Sequence, residues 1–172
     1  MRSSTAFELV KPHARFETSY REYIYELGDE ERYPFPMDFV HDDFAALLTR
    51  LQQFEQGRDL PDGFIASTTY WLVQGHELIG VSNLRHALTA ALRHAGGHIG
   101  LGIRPSYRGQ GLGKFLLGKT LIAARQIGIE NVHVHCYEGN GPSSGMIIAN
   151  GGVLHSELKD GNQTVLRYII PG

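Results

Sequence analysis

A short segment rich in glycine and positive charge has the residue types that bind a phosphate group. Arg108 and Lys114 flank three glycines at alternate positions, Gly109, Gly111 and Gly113. An extended run ends and a helical pattern begins here, so we expect the segment at the first turn of a helix, whose unpaired N–H groups and positive dipole end favour anions. Glycines leave those N–H groups open. The sequence therefore predicts that backbone amides hold a pyrophosphate, with Arg108 and Lys114 nearby.

Two common nucleotide motifs do not fit these glycines. The dinucleotide-binding fingerprint needs its third glycine three residues after the second, whereas Gly113 follows Gly111 by two. A P-loop would continue from Gly-Lys to Ser or Thr, but Phe115 follows Lys114. The spacing therefore disfavours a nucleotide-binding protein, which stays as an alternative.

The elements around the glycine segment predict a strand, a helix and a second strand. The strand covers residues 98–103, the helix residues 109–127 with Gly128 at its end, and the second strand residues 130–136. Short connections of this kind predict a βαβ unit with parallel strands and a right-handed crossover. The helical periodicity predicts a buried side made of Leu112, Phe115, Leu116, Ile122, Ala123 and Ile127.

The rest of the chain predicts two helices before this unit and strands on both sides of it. A short strand is expected in the first ten residues, a helix at 14–28, and another from Asp38 or Asp42 to near Gly57. Between the helices, Tyr33-Pro34-Phe35-Pro36 predicts an ordered loop that is not helical. A hairpin at 68–84, a helix at 142–150 and strands at 153–158 and 164–170 complete the pattern.

Composition limits the class of protein. The length of 172 residues suits one domain covering residues 1–172. With 16 basic against 18 acidic side chains the net charge is −2, so we expect no nucleic-acid partner. No secretion signal or membrane-spanning run is visible, which favours a cytoplasmic protein without a membrane partner. The single cysteine, Cys136, excludes an intramolecular disulfide and is expected to be a small core residue.

The spacing Arg108, Gly111 and Gly113 resembles the coenzyme A pyrophosphate loop of the GNAT superfamily of acyl-CoA-dependent N-acyltransferases. The loop follows a strand, begins a helix, and is followed by a strand and Asn140-Gly141-Pro142-Ser143, which is similar to the superfamily's Asn-x-x-Ser element. The resemblance covers about residues 68–170. More narrowly, the run from Gly96 to Gly100 and into Arg104-Pro105-Ser106 resembles a group of bacterial predicted acetyltransferases.

The resemblance implies an α/β fold with a central mixed, largely antiparallel sheet that is splayed between its fourth and fifth strands and flanked by helices. It implies acetyl-CoA as co-substrate, no metal, and a possible homodimer. The pantetheine arm would pair with the fourth strand like an added strand. The implied cofactor-binding residues are Leu101, Gly102, Ile103, Arg108, Gly109, Gln110, Gly111, Leu112, Gly113, Lys114, Asn140 and Ser143.

Direct attack of an amine on the thioester needs a base, an oxyanion donor and an acid for the leaving thiolate. His98 is the candidate base, because it stands near the start of the fourth strand, where relatives often carry a glutamate; a purely structural hydrogen bond is the alternative. Many relatives carry the acid, a tyrosine, seven residues after the asparagine, where this chain has Ile147. Tyr137 is the candidate substitute, against a structural tyrosine or protonation by water.

The acceptor site is less defined by the sequence, and we expect it to be formed by the N-terminal helices, the loop at residues 33–38 and the segment at residues 83–94. Asn83, Arg85 and His86, at the end of a strand, are the candidate substrate-binding residues for a polar or carboxylate-bearing acceptor. His133 and His135 share one strand face, but no third ligand at a matching spacing supports a metal, so none is predicted.

Together these features predict an enzyme, an acetyl-CoA-dependent N-acetyltransferase that modifies a primary amine of a small molecule or peptide. The alternative from another class is a non-catalytic acyl-CoA-binding sensor or interaction domain of the same fold, which the isoleucine at position 147 favours.

Overall fold

Seven strands and five α-helices form the part of the chain that the structure, a computed structural model, describes, residues 6–172. The start of the predicted first strand, residues 1–5, lies outside the described residues. In chain order the elements are β1 Phe7–Val10, α1 Glu17–Leu27, α2 Phe44–Gln56, β2 Ser67–Gln74, β3 Glu77–Arg85, α3 Ala90–His94, β4 Ile99–Ile103, α4 Leu112–Gln126, β5 Val132–Tyr137, α5 Gly141–Ala149, β6 Val153–Asp160 and β7 Gln163–Ile170.

The strands form two antiparallel sheets. The first has the order β1-β2-β3-β4 and the second the order β5-β7-β6. The β2–β3 hairpin pairs Ser67 with Arg85 and Gln74 with Glu77, and β4 joins it with Val81 opposite Gly102. The mixed α/β class with largely antiparallel strands is confirmed.

The two sheets touch at one end and separate at the other. Gly97, just before β4, forms an isolated bridge with Val134 of β5, and the N–H of His98 donates to the carbonyl of His133 at 2.7 Å. Beyond this junction β4 pairs with β3 only, and β5 with β7 only, within the described residues. The implied splay between the fourth and fifth strands is therefore present. The expected parallel pairing is wrong for the described residues, because the single bridge is antiparallel and every strand ladder is antiparallel.

Helices cover the sheets on opposite faces. Helices α1 and α2 pack on the first sheet around Trp71, which is buried with Phe16, Tyr20 and Phe44. Helix α4 packs through Leu112 and Leu116 against Leu72 and Ile79, and through its other buried residues on the second sheet. No helix among the described residues combines the length and apolar character needed to cross a bilayer.

Ion pairs of Arg104 link α1 to the end of β4. The guanidinium is nearly buried and contacts carboxylates of Glu26, Glu77 and Glu22. Glu26 also accepts the backbone N–H of Ser106 at 2.9 Å. A buried arginine is tolerated because several carboxylates and hydrogen bonds surround it. The cluster fixes where the glycine segment leaves the sheet.

Three expectations about local structure differ from the fold. Phe35–Asp38 is a short 3-10 helix rather than a loop, because Pro36 lies in its first turn, where an N–H is not needed. Helix α4 begins at Leu112, since Gly109 and Gly111 have φ of 77° and 76°. Of the predicted buried side of α4, Leu112, Leu116 and Ala123 are buried, whereas Phe115, Ile122 and Ile127 are exposed.

Candidate active site

A cleft of about 960 Å³ lies in the space between the separating strands β4 and β5. One wall consists of the end of α1 and the segment after it, which contribute Leu27, Glu30, Glu31 and Tyr33. The other walls are β4, the start of α4, the end of β5 and α5, and they contribute Leu101, Gly102, Ile103, Gly111, Gly113, Lys114, His135, Cys136, Tyr137, Asn140, Ser143 and Met146. The cleft is large enough for a cofactor-sized ligand.

The start of α4 has the features of an anion site. Gly111 is the N-cap, and no side chain caps the first turn. A Cβ on Gly109 or Gly111 would meet no atom within 4 Å, so the space over these amides is open. The exposed N–H groups and the helix dipole therefore face a part of the cleft that a phosphate can enter.

Gly113 has a packing reason for lacking a side chain. A Cβ at this position would lie 3.2 Å from the sulfur of Met146. The absence of a side chain lets α4 approach α5 closely. Gly113 also lines the cleft, and the role of its amide in phosphate binding stays a prediction.

Arg108 is held across the cleft toward α1. Its Nε donates to the carbonyl of Ile103 at 2.9 Å, and its Nη1 donates to Glu30 at 2.9 Å. The side chain therefore links the glycine segment to the opposite wall, while the segment's backbone stays free to bind an anion.

Strand β4 presents a backbone edge to the cleft. Leu101, Gly102 and Ile103 line it, and the opposite edge of the strand pairs with β3. An unpaired strand edge can accept an extended ligand as an added strand. On the far side, Asn140 caps α5, because its Oδ1 accepts the N–H of Ser143 at 3.2 Å.

The sequence of the chain also matches a known protein family. The family model described as Acetyltransferase (GNAT) family matches residues 20–147, more than half of the chain. The chain belongs to the GNAT acetyltransferase family. No curated protein matches the sequence.

Solved GNAT structures share the fold along nearly the whole chain. A ribosomal L7/L12 alpha-N-protein acetyltransferase, RimL, in complex with coenzyme A superposes with a TM-score of 0.71 at 17% identity, covering 98% of this chain and 95% of that one. A chimera of the spermidine N-acetyltransferase SpeG from Vibrio cholerae with hSSAT gives 0.65 at 17%, covering 96% and 95%. The protein yncA from Salmonella typhimurium, with its cofactor acetyl-CoA, gives 0.64 at 14%, covering 96% and 94%.

His98 lies at the junction of the two sheets of this GNAT domain. It is buried and not among the cleft-lining residues, and its Nδ1 accepts the backbone N–H of His133 at 2.9 Å. Burial, with the nearby His133 and Arg85, lowers the pKa of His98 to about 4. The imidazole is therefore neutral near pH 7 and already bonded at one nitrogen. Its role as the base stays a prediction, and the structural alternative has a visible partner.

The predicted acceptor residues also have partners within the protein. The amide of Asn83 donates to Ser67 and Thr69, and Arg85 donates to the carbonyls of Gly96 and Gly97. His86 shares a 2.7 Å hydrogen bond with Thr68. Asn83, Arg85 and His86 do not line the cleft. Their role in acceptor binding stays a prediction.

Tyr137 lines the cleft at the end of β5 and is 47% exposed, so it can reach a ligand. Ile147, at the position of the usual tyrosine, is fully buried in the core between α4 and the second sheet. Its apolar side chain supplies packing and cannot donate a proton. Tyr137 as the acid stays a prediction.

Along β5, the two histidines lie on one face of the strand and the valines and Cys136 on the other, as the strand alternation predicts. Val132 and Val134 are buried, and Cys136 packs against the same core. The Nδ1 of His135 accepts the N–H of Gly96 at 3.1 Å, and burial lowers its pKa to about 4. Burial raises the pKa of the Cys136 thiol, which therefore stays protonated at neutral pH. In residues 6–172 no group of three or more acidic, histidine or cysteine side chains is arranged to hold a metal.

The acidic lining of the cleft was not predicted from the sequence. Glu30 and Glu31, which follow α1, and Asp160, the last residue of β6, line the cleft. Tyr33, which begins a loop that was expected to contribute to acceptor recognition, also lines it. The proline-rich composition marked this segment as ordered, but no spacing showed that it lies against β4.

Proposed function

We propose that the protein transfers an acetyl group from acetyl-CoA to a primary amine of a small molecule or peptide. The observation that carries the proposal is the cleft between β4 and β5. The open first turn of α4 lies at one side of it, and along it runs an edge of β4 that pairs with no other strand among the described residues. The pyrophosphate would bind the amides from Arg108 to Lys114, and the pantetheine arm would lie between β4 and the Asn140–Ser143 turn. Two structural neighbours contain coenzyme A or acetyl-CoA, which supports this choice of ligand.

The charges of the cleft favour an amine acceptor. Three carboxylates line it, from Glu30, Glu31 and Asp160. Glu30 pairs with Arg108, whereas neither Glu31 nor Asp160 forms an ion pair with a described residue. Uncompensated carboxylates attract a cationic ligand and raise its local concentration. Neighbours named for a protein N-terminus and for spermidine as acceptors support an amine.

Thermal unfolding tests the cofactor. Acetyl-CoA and CoA at about 100 times their Kd should add about 2.7 kcal/mol of stability. For a chain of this length that raises Tm by about 5–10 °C. ADP at the same concentration should raise it less, since it lacks the pantetheine arm. An equal shift from ADP, or no shift, would contradict coenzyme A binding.

Release of free CoA in the presence of amines tests the transfer. The panel contains spermidine, a peptide with a free α-amino group, and the same peptide with that group blocked. We expect release with a free amine and none with the blocked peptide. Glu31→Gln and Asp160→Asn should raise KM for the active amine with little change in kcat, whereas the exposed Glu157→Gln on β6 should change neither. Coenzyme binding without release from any free amine would contradict turnover and favour the acyl-CoA sensor.

A further inference from the structure

The proposed transfer leaves a thiolate, and the cleft offers several phenols that could protonate it. Four tyrosines line the cleft: Tyr23, Tyr33, Tyr107 and Tyr137. Which of them reaches the sulfur depends on where along β4 the thioester lies.

The direction of the cleft places the thioester at the Gly100 half of β4. The anion site at the start of α4 follows the C-terminal end of β4 at Ile103. An arm that enters there and pairs with the free edge runs back toward Gly97, where the sheets meet. From Ile103 to Gly100 the strand measures about 10 Å. The acyl end of a bound arm therefore approaches Gly100 and Leu101.

Tyr33 lies directly over this half of the strand. Its hydroxyl is 2.9 Å, and its ring carbon Cζ 3.2 Å, from the point that a Cβ of Gly100 would occupy. The Tyr33 carbonyl lies 2.6 Å from the corresponding point on Gly102. Glycine at both positions is what lets the segment lie flat on β4. Buried Pro34, Pro36 and Met37 anchor it.

The other three tyrosines lie elsewhere. The Tyr23 hydroxyl is 3.7 Å from the Cβ point of Gly102, nearer the α4 end of β4, and its side chain is buried. Tyr107 packs with Leu112 and Leu116 and lies under the Arg104 guanidinium. Tyr137, at the end of β5, lines the same cleft and is near enough to Tyr33 to affect its pKa. Of the four tyrosines, Tyr33 is the one whose hydroxyl lies against Gly100.

The Tyr33 hydroxyl is a free proton donor. It makes no hydrogen bond to a described residue, although 45% of the residue is exposed to the cleft and solvent. Burial of its hydroxyl end raises the pKa of Tyr33, and Glu31, Tyr137 and Cys136 raise it further against the opposing effect of Arg85. At neutral pH the phenol therefore carries its proton.

We propose that Tyr33 is the catalytic acid that protonates the departing coenzyme A thiolate, an inference that rests on the proposed acetyl transfer. The neutral amine nitrogen forms a bond to the thioester carbonyl carbon, and the C–S bond then breaks with its electron pair on sulfur. The Tyr33 O–H proton passes to that sulfur. The proton that the new amide nitrogen loses goes to solvent, and solvent returns one to the phenolate. Tyr33 thus supplies the function that Ile147 cannot.

The decisive test measures the bound coenzyme A thiol and needs no acceptor. In a Cys136→Ala background the coenzyme carries the only thiol, because the chain has one cysteine. Thiolate absorbance is followed against pH with CoA saturating. A phenol that donates to the thiolate stabilises it, so Tyr33→Phe should move the titration midpoint up by about one pH unit. Tyr137→Phe and the highly exposed Tyr25→Phe should leave it in place.

Turnover supplies the second readout. With an active amine from the panel, Tyr33→Phe should lower kcat by about 100-fold, the smaller end of general acid contributions, while the Kd for acetyl-CoA changes by less than about 2-fold. Tyr33→Phe keeps the ring over Gly100, so we expect the fold to persist. A Tm equal to that of the wild type would show that it does.

The outcomes separate the two proposals. If CoA binds and the midpoint moves with Tyr137→Phe rather than Tyr33→Phe, the assignment of Tyr33 is overturned and the acetyl transfer stands. If the midpoint moves with Tyr33→Phe but no amine releases CoA, the placement of Tyr33 holds and the acetyl transfer fails. If CoA does not stabilise the wild type, both proposals are overturned.

Discussion

Gly111 and Gly128 lie just outside the two ends of α4, and substitutions at these two positions together test the proposed phosphate site at Gly111. Gly111 has φ of 76° and Gly128 has φ of 89°, and a Cβ on either would meet no atom within 4 Å. Only Gly111 lines the cleft. The two lie about 25 Å apart along the helix. A substitution at either position thus imposes the same backbone strain, and only one of them affects the ligand.

A glutamate at either glycine adds backbone strain, and at Gly111 it also adds charge repulsion. A non-glycine residue in the left-handed region costs about 1–2 kcal/mol. Gly111→Glu and Gly128→Glu should therefore both lower Tm by about 2–8 °C. At Gly111 the new carboxylate also faces a pyrophosphate, and two like charges about 4 Å apart repel by about 1–4 kcal/mol, depending on solvent screening. Kd for acetyl-CoA should rise by about 5-fold to 1000-fold.

The assay is calorimetric titration of acetyl-CoA into both variants, with Tm recorded for each. Gly128→Glu should bind as tightly as the wild type. Gly111→Ala, which adds bulk without charge, should fall between the wild type and Gly111→Glu. Unchanged affinity in Gly111→Glu, or an equal loss in Gly128→Glu, would refute the placement of the pyrophosphate at the start of α4.

Three further substitutions test the framework of the site. Because the pKa values of His98 and His135 are lowered to about 4, the unfolded chain binds more protons than the folded chain between pH 6.5 and 4. The stability that the two neutral histidines contribute is therefore fully present above pH 6.5, and the free energy of unfolding falls as the pH drops through this window. His98→Asn keeps an acceptor for the His133 N–H and should make this pH dependence less steep in denaturant titrations, whereas an unchanged dependence would contradict the titration of His98. Gly97 has φ of 67°, and a Cβ there would lie 2.5 Å from the His133 carbonyl oxygen. Gly97→Ala should therefore lower the free energy of unfolding by about 2–5 kcal/mol. Gly161→Ala, whose Cβ would meet no atom within 4 Å, should lower it by less, and equal losses would argue against the Gly97 contact. Asn140→Ala removes the α5 cap and should cost about 1 kcal/mol, which Asn140→Ser should largely restore in the same measurement.

The order of elements and the open first turn of α4 could be predicted because they depend on local chemistry. Hydrophobic periodicity placed the helices and strands, and the glycines before α4 marked its first turn. The boundary at Leu112 was missed, since positive φ at Gly109 and Gly111 is not visible in a periodic pattern.

The walls of the cleft depend on contacts that are distant in sequence, and these could not be predicted. Tyr33 lies on Gly100 across 67 positions of chain, and neither residue type indicates the other. The exposed Phe115 was expected in the core, but it packs on Phe7 of β1 instead. For the same reason the partners of Asn83 on β2 were not foreseen.

If the proposed pyrophosphate and amine both bind in the cleft, the ion pair between Arg108 and Glu30 makes their binding free energies depend on each other. A phosphate that takes the Arg108 guanidinium leaves the Glu30 carboxylate without its counter-ion, and an ammonium that takes Glu30 leaves Arg108 without its own. Each ligand therefore removes a competitor of the other, and the coupling free energy must be equal in both directions. Acetyl-CoA should tighten the binding of a cationic amine by the same factor by which that amine tightens acetyl-CoA, and added salt should weaken the coupling because the pair is half exposed.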